Sequence, residues 1–227
     1  GKWVDEDHAL VEGIRNVTLE DMDLAQNFGY RIKLIGLIRR NFEKNALSLS
    51  VSPSLVPLDK TLARVDGVYN AIKLSGDVAG TTILIGRGAG RDATSSAVIS
   101  DLVDAIIGIR DDAHKFFTAS DIDANYRLGE GLRMATMDEI KSPFYIRVTV
   151  ADQVGVLAEI YRDLAELNIS IAKVATYEHR ETSTGTVTLL TYPTSETKME
   201  ELFERFGKIK NILGKPLLLR VYESTRG

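Results

Sequence analysis

The sequence predicts an α+β fold, and three features carry that expectation. Between residues 31 and 85, alternating apolar segments succeed one another through short polar turns, which favours mixed or antiparallel pairing over a βαβ array. A single broad-striped helix comes next, ahead of a long irregular stretch. From Pro143 onward, strand and helix patterns run in the order βαββαβ, the split-βαβ arrangement of four antiparallel strands backed by two helices. At 227 residues the chain suits one large or two small domains. The expected division is a mixed/antiparallel sheet domain with helices over 1–110, a linker over 111–142, and the βαββαβ domain over 143–227.

Each element has a local pattern behind it. "TLEDMDLA" (18–25) reads as a capped helix, with Thr18 at the N-cap, Asp21 three residues on and Gly29 as the stop. "RIKLIGLIR" (31–39) alternates as a strand with one buried face, and "LSLSV" (47–51) returns after a polar turn. Pro53 and Pro57 are expected to break the chain beyond Val51. Residues 67–75 and 81–85 are two further strands around a turn at 77–80, where Asp77 is a turn residue or, less simply, a site residue. Residues 93–109 form a helix with Ala97, Val98, Leu102, Val103, Ile106 and Ile107 on one stripe. The second unit reads as a strand (144–150), a helix (156–167) with Leu157, Ile160, Tyr161 and Leu164 inward, strands (169–178, 185–192), a helix (195–206) and a strand (217–222).

Composition excludes several function classes. A net charge of −4 leaves no basic footprint for nucleic acid. The absence of cysteine removes disulfide and thiolate chemistry and fits a reducing, cytoplasmic setting. No apolar run approaches the roughly 20 residues of a membrane helix, and no signal peptide is visible. The opening at Gly1, directly in amphipathic sequence, suggests a cut or processed start. His8, His114 and His179 are dispersed, so solvent exposure is expected for each and no metal site is predicted. Lys33 and Lys73 are expected to point outward. No Ser-His-Asp or Cys-His set can be assembled.

Three short stretches are candidate sites. In "LIGRGAGRDATSSAV" (84–98) no Gly-Lys-Ser/Thr is present, and the third glycine comes two residues after the second, so neither phosphate-loop nor dinucleotide fingerprint is complete. Two readings stay open. The glycines supply positive φ in a tight strand-to-helix turn, or Gly88, Ala89 and Gly90 lie bare against a cofactor held mainly by another domain. "DQVGVL" (152–157) is either an ordinary βα turn capped by Asp152 or a seat for a small carboxylate at amides freed by Gly155. Asn168, in "NISI" (168–171), suits a helix end. If two such units pair, this stretch sits near the neighbour's strand edge.

"VEGIRNVTLEDMDLAQNFGYRIKLIG", "VDGVYNAIKLSGDVAGTTILIGRGAG" and "ATSSAVISDLVDAI" together resemble the later part of homoserine dehydrogenase, and "FYIRVTVADQVGVLAEIYRDLAELNISIAKV" resembles an ACT regulatory domain. The resemblance covers nearly the whole chain. It implies interconversion of L-aspartate 4-semialdehyde and L-homoserine with NAD or NADP, on the route to threonine and methionine. It also implies feedback control by an amino acid, usually threonine. Gly88, Ala89 and Gly90 match the family segment that meets the dinucleotide. Asp152, Gly155, Val156, Leu157, Asn168 and Ile169 are the expected effector residues. The family's Rossmann domain and lysine-bearing substrate helix are not matched, so catalytic residues are expected upstream of Gly1. The chain alone is therefore expected to be an inactive C-terminal portion that forms a homo-oligomer, dimer or tetramer, through both halves. The alternative is a free-standing ACT-type amino-acid sensor without catalysis.

Overall fold

The structure, a computed structural model, describes residues 9–110, 132–179 and 181–223. Packing divides the chain into two units. One is built on 60–132, the other on 7–59 together with 133–223, so the segment before residue 60 groups with the last third of the chain.

In the larger unit, helix α1 (Leu19–Asn27) starts as predicted. The Thr18 hydroxyl accepts the Asp21 amide at 3.3 Å, and the Asp21 carboxylate accepts the Thr18 amide at 2.8 Å, a complete capping box. Gly29, at φ 89°, turns the chain into β2 (Tyr30–Asn41), which pairs antiparallel along its whole length with β3 (Ala46–Pro57). Pro53 does not break β3. The far edge of that strand carries three short parallel partners: β6 (Arg133–Met134) at Ala46, β1 (Leu10–Val11) at Ser50, and β12 (Ile212–Val221) from Ser54. The Val51 and Leu55 carbonyls bond toward this edge. Pro53, in the same phase, points its missing amide into the gap between β1 and β12, where no ladder bond is needed.

The βαββαβ order is as expected. β8 (Phe144–Ala151) lies between β12 and β10 (Thr184–Thr191), and β9 (Ile171–His179) forms the outer edge, all antiparallel. Helices α3 (Val156–Glu166) and α4 (Glu196–Phe206) cover one face. Phe144, Ile146, Val148 and Val150 meet Ile160, Leu164, Met199, Leu202 and Phe206 in the main core. The opposite face is also buried: Tyr145, Leu190, Leu217 and Leu219 cluster with Ala25 of α1 and Leu55 of β3. The mixed pairing expected for the first strands is present, and their sheet is continuous with that of the βαββαβ module. β12 offers an open edge, β3 occupies it, and one sheet of eight described strands results. Within the expected linker, 111–131 lies outside the described residues. Its end forms β6 and β7 (Lys141–Ser142), the latter paired with β11 (Thr194–Ser195).

The smaller unit holds a 3-10 turn (Thr61–Arg64), the hairpin β4 (Tyr69–Gly76) and β5 (Gly80–Arg87), and helix α2 (Arg91–Arg110). At the hairpin tip the Val78 amide donates to Asp77 Oδ1 at 2.9 Å, so Asp77 performs turn chemistry. The apolar stripe of α2 is present, but the helix has no buried residue; Ile106 is 63% exposed. On the hairpin Ile72, Leu74 and Leu84 are exposed while Lys73, expected outward, is half-buried, as is Lys33 on β2. The face that alternation marks as apolar is uncovered among the described residues.

Candidate functional site

The glycine corner joins β5 to α2, and its residues stand exposed. Its three candidate residues differ. The Gly88 amide donates to the Val68 carbonyl at 2.9 Å, and a Cβ on Gly88 would strike the Asn70 side chain. The close approach at Gly88 is thus to the exposed Asn70 side chain of the same unit, a group that can swing aside. Gly90, at φ 125°, has open space where a Cβ would stand, and the first turn of α2 closes with the Thr94 amide on its carbonyl. Ala89 and Gly90 thus present bare backbone immediately ahead of a helix start, where positive electrostatic potential gathers.

The second candidate is the turn from β8 into α3. Asp152 donates its amide to Ser183, and Gly155, at φ 98°, caps α3 without any side-chain bond. Asp152, Gln153, Val154 and Gly155 are exposed, while Val156 is buried in the core and Leu157 half-buried against it. Asp152 makes no side-chain cap to α3, contrary to the simpler of its two readings. Asn168, at φ 52°, ends the helix: its amide donates to Ala165 and that of Ile169 to Leu164. This is why β9 begins at Ile171 and not at 169, and why Ile169 is buried. Gly155 and Asn168 stand at opposite ends of α3, about 20 Å apart at 1.5 Å per residue. One copy of the chain does not bring them together.

Sequence reasoning missed two charged clusters. Arg220 of β12 donates from Nε to Glu196 Oε1 at 2.6 Å, and from its Nη atoms to Glu196 Oε2 and to both Glu12 oxygens. Burial alone would lower the Arg220 pKa, but the hydrogen bonds to Glu196 and Glu12 outweigh it and raise it. Arg147 of β8 donates to Asp21 of α1 at 2.5 Å, with Asp21 fully buried. The only sequence signal was a lone arginine inside each apolar strand. His179, expected in solvent, is half-buried with Nε2 2.9 Å from Thr186 Oγ1. His8 and His114 lie outside the described residues. Among the described residues no group of three or more His, Cys, Asp or Glu is arranged to hold a metal, and no helix is long and apolar enough to cross a membrane.

Architecture and turns together define a class: a βαββαβ module whose sheet is extended by a β-hairpin arm, with a glycine-cornered unit on the same chain. Comparison with known proteins agrees. Residues 1–103 match the family profile of homoserine dehydrogenase, and residues 144–211 match that of the ACT domain. The chain is 36% identical to a homoserine dehydrogenase of Neisseria gonorrhoeae over 94% of its length and 48% of that protein's. It is 32% identical to one of Helicobacter pylori, covering 93% and 48% respectively. A solved homoserine dehydrogenase from Thiobacillus denitrificans superposes with a TM-score of 0.76 at 32% identity, over 96% of this chain and 48% of that one. The chain belongs to the homoserine dehydrogenase family and carries an ACT domain. It spans about half the length of the curated relatives it matches.

Proposed function

We propose that the chain supplies the nucleotide-facing, subunit-pairing and regulatory part of a cytoplasmic homoserine dehydrogenase, which interconverts L-aspartate 4-semialdehyde and L-homoserine using NAD or NADP. The observation that carries this reading is the open glycine corner. Side-chain-free, exposed backbone at Ala89 and Gly90, ahead of α2, fits the flank of a dinucleotide. The corner meets such a group from one side only, so the principal holder and the proton-handling groups belong to the part of the relatives that this chain does not span. The cofactor, when bound, carries the hydride. What Gly88, Ala89 and Gly90 contribute is shape: they let backbone approach closely and keep water from that side. Extended upstream to the full length of its relatives, the protein is expected to reduce NAD or NADP with homoserine. Gly90→Val, which forces a branched side chain to φ 125°, is expected to lower that rate at least tenfold. No turnover from the extended, folded protein would refute the reading.

The ACT module takes an amino-acid effector, threonine by the resemblance, at Asp152, Gly155, Val156 and Leu157. Asn168 and Ile169 come from a second copy, since one copy holds the two groups at opposite ends of α3. The bare stripe of α2 and the bare hairpin support pairing in the other unit as well, because an isolated two-stranded sheet is marginal in water. Light scattering at micromolar concentration is expected to show a dimer or larger; a monomer overturns the pairing. Calorimetry with threonine, isoleucine, methionine and lysine tests the effector site, and Gly155→Leu is expected to abolish the heat. A second reading, a non-catalytic amino-acid sensor, is favoured by one observation: the ACT sheet is buried on both faces by contacts within the chain. Threonine binding without dehydrogenase activity in the full-length protein would select it.

A further inference from the structure

We propose that the buried Asp21–Arg147 pair is a positioning contact that couples occupancy of the 152–157 turn to helix α1 and the β2–β3 arm; the proposal rests on the effector reading above. Strand β8 carries both ends of the connection. The effector turn starts just past its last residue, and Arg147 stands five residues before Asp152, about 17 Å away along the strand. The Arg147 guanidinium grips Asp21 through Nε at 2.5 Å and Nη2 at 3.4 Å. Asp21 is in turn tied to the start of α1, accepting both the amide and the hydroxyl of Thr18.

Burial makes this grip stiff. The Asp21 side chain is 0% exposed and that of Arg147 14%. A shift of β8 that parted the two would leave a carboxylate in the interior without its counter-charge. Water cannot replace the guanidinium there, so α1 must follow β8. Beside it, Ala25 and Phe28 at the end of α1 pack on Tyr145 of the same strand without direction or charge, and the adjacent polar contacts are weaker in kind. Thr186 donates to Glu20 at 3.3 Å and His179 lies 3.6 Å from the same oxygen, but Glu20 and His179 are both over 40% exposed and screened by solvent. Beyond α1, Gly29 leads without a linker into β2, and β2 is laddered to β3 over its full length. The arm therefore touches the ACT module through main-chain bonds from β3 to β12, through the apolar cluster around Tyr145, through the solvent-screened contacts of Glu20, and through one desolvated ion pair from α1 to the strand that bears the effector turn.

The test is hydrogen exchange on the chain with and without threonine, with binding confirmed by calorimetry. In the unsubstituted protein, threonine is expected to slow exchange at 155–159 and also at 22–27 of α1. The doubly neutral variant Asp21→Asn, Arg147→Gln leaves no lone buried charge. It is expected to bind with Kd within about threefold while the α1 response falls at least fivefold. Arg147→Lys keeps a charge opposite Asp21, and hence the fold, but loses the fork. It is expected to lower the α1 response about twofold. A threonine-bound protein with unchanged α1 exchange, or an undiminished response in either variant, overturns the coupling and leaves the effector site standing. Absence of any binding heat in the unsubstituted protein refutes the effector reading, and the coupling with it.

Discussion

Strands β8 and β4 are both eight residues long and end in opposite circumstances. β8 has helices α3 and α4 on one face and α1 with the first residues of β2 on the other, and Phe144, Tyr145 and Ile146 are all fully buried. β4 has one partner strand, and Ile72 and Leu74 stand about 60% exposed. The larger unit is closed by contacts within the chain. The smaller one holds its strand pairing and its corner geometry but leaves its apolar surface for something beyond the described residues.

Four experiments can break or sharpen that contrast. Phe144→Ala should cost about 3–5 kcal/mol, read from urea denaturation, whereas Ile72→Ala should change the same curve by under about 0.5 kcal/mol. Equal losses would end the comparison. Arg220→Leu leaves Glu196, 3% exposed, buried without its partner, and should cost about 3 kcal/mol in thermal unfolding. A silent substitution would mean that the cluster is wetter than its geometry indicates. Thr18→Ala removes half of the capping box and should cost about 1 kcal/mol. Tyr145→Phe should be the mildest, neutral or slightly stabilising at pH 7, because the buried hydroxyl finds no hydrogen-bond partner among the described residues. Its effect belongs to high pH. Burial first, and the Asp21 charge second, raise the Tyr145 pKa in the folded protein. The folded state thus favours the neutral phenol. That stability is complete below the unfolded value of about 10 and is lost as pH climbs from there through the folded one. Denaturation at pH 9 and 11 should show the drop, and Tyr145→Phe should flatten most of it. Tyr30, raised by burial and by Glu223 and Asp59, would leave a remainder.

What the sequence made legible was whatever is decided locally. Thr18 and Asp21 stand three residues apart, so their box could be read off directly. The 3.6-residue spacing of Ile160 and Leu164 marked the buried side of α3 just as plainly. The glycines of the 86–90 corner suggested positive φ, and Gly29 and Asn168 marked their helix ends. Pairings between distant segments left no such trace. Nothing near Ser54 indicates that Arg220 will lie beside it, and the strand proline argued the other way. Arg220 and Arg147 had no partner legible nearby because Glu12, Glu196 and Asp21 lie far off in sequence. At the candidate site, the openness of Gly90 was legible, but the role of Gly88 was not. It depends on Asn70, brought across by the β4–β5 register. The α2 stripe was visible as a pattern, yet a pattern cannot say what will cover it.

The shared edge of β3 also sets a schedule for biosynthesis. The ribosome delivers β2 and β3 early, and they can zip at once, since one short turn joins them. On its opposite margin β1 can pair early, but the stretch at Ser54 and Leu55 must wait for the last described strand to be made before β12 can dock beside it. During that interval a nascent chain carries an unsatisfied row of amides and carbonyls, open to adhesion by any passing extended segment. Pro53, set within that row, is a gatekeeper against such mispairing for as long as the wait lasts.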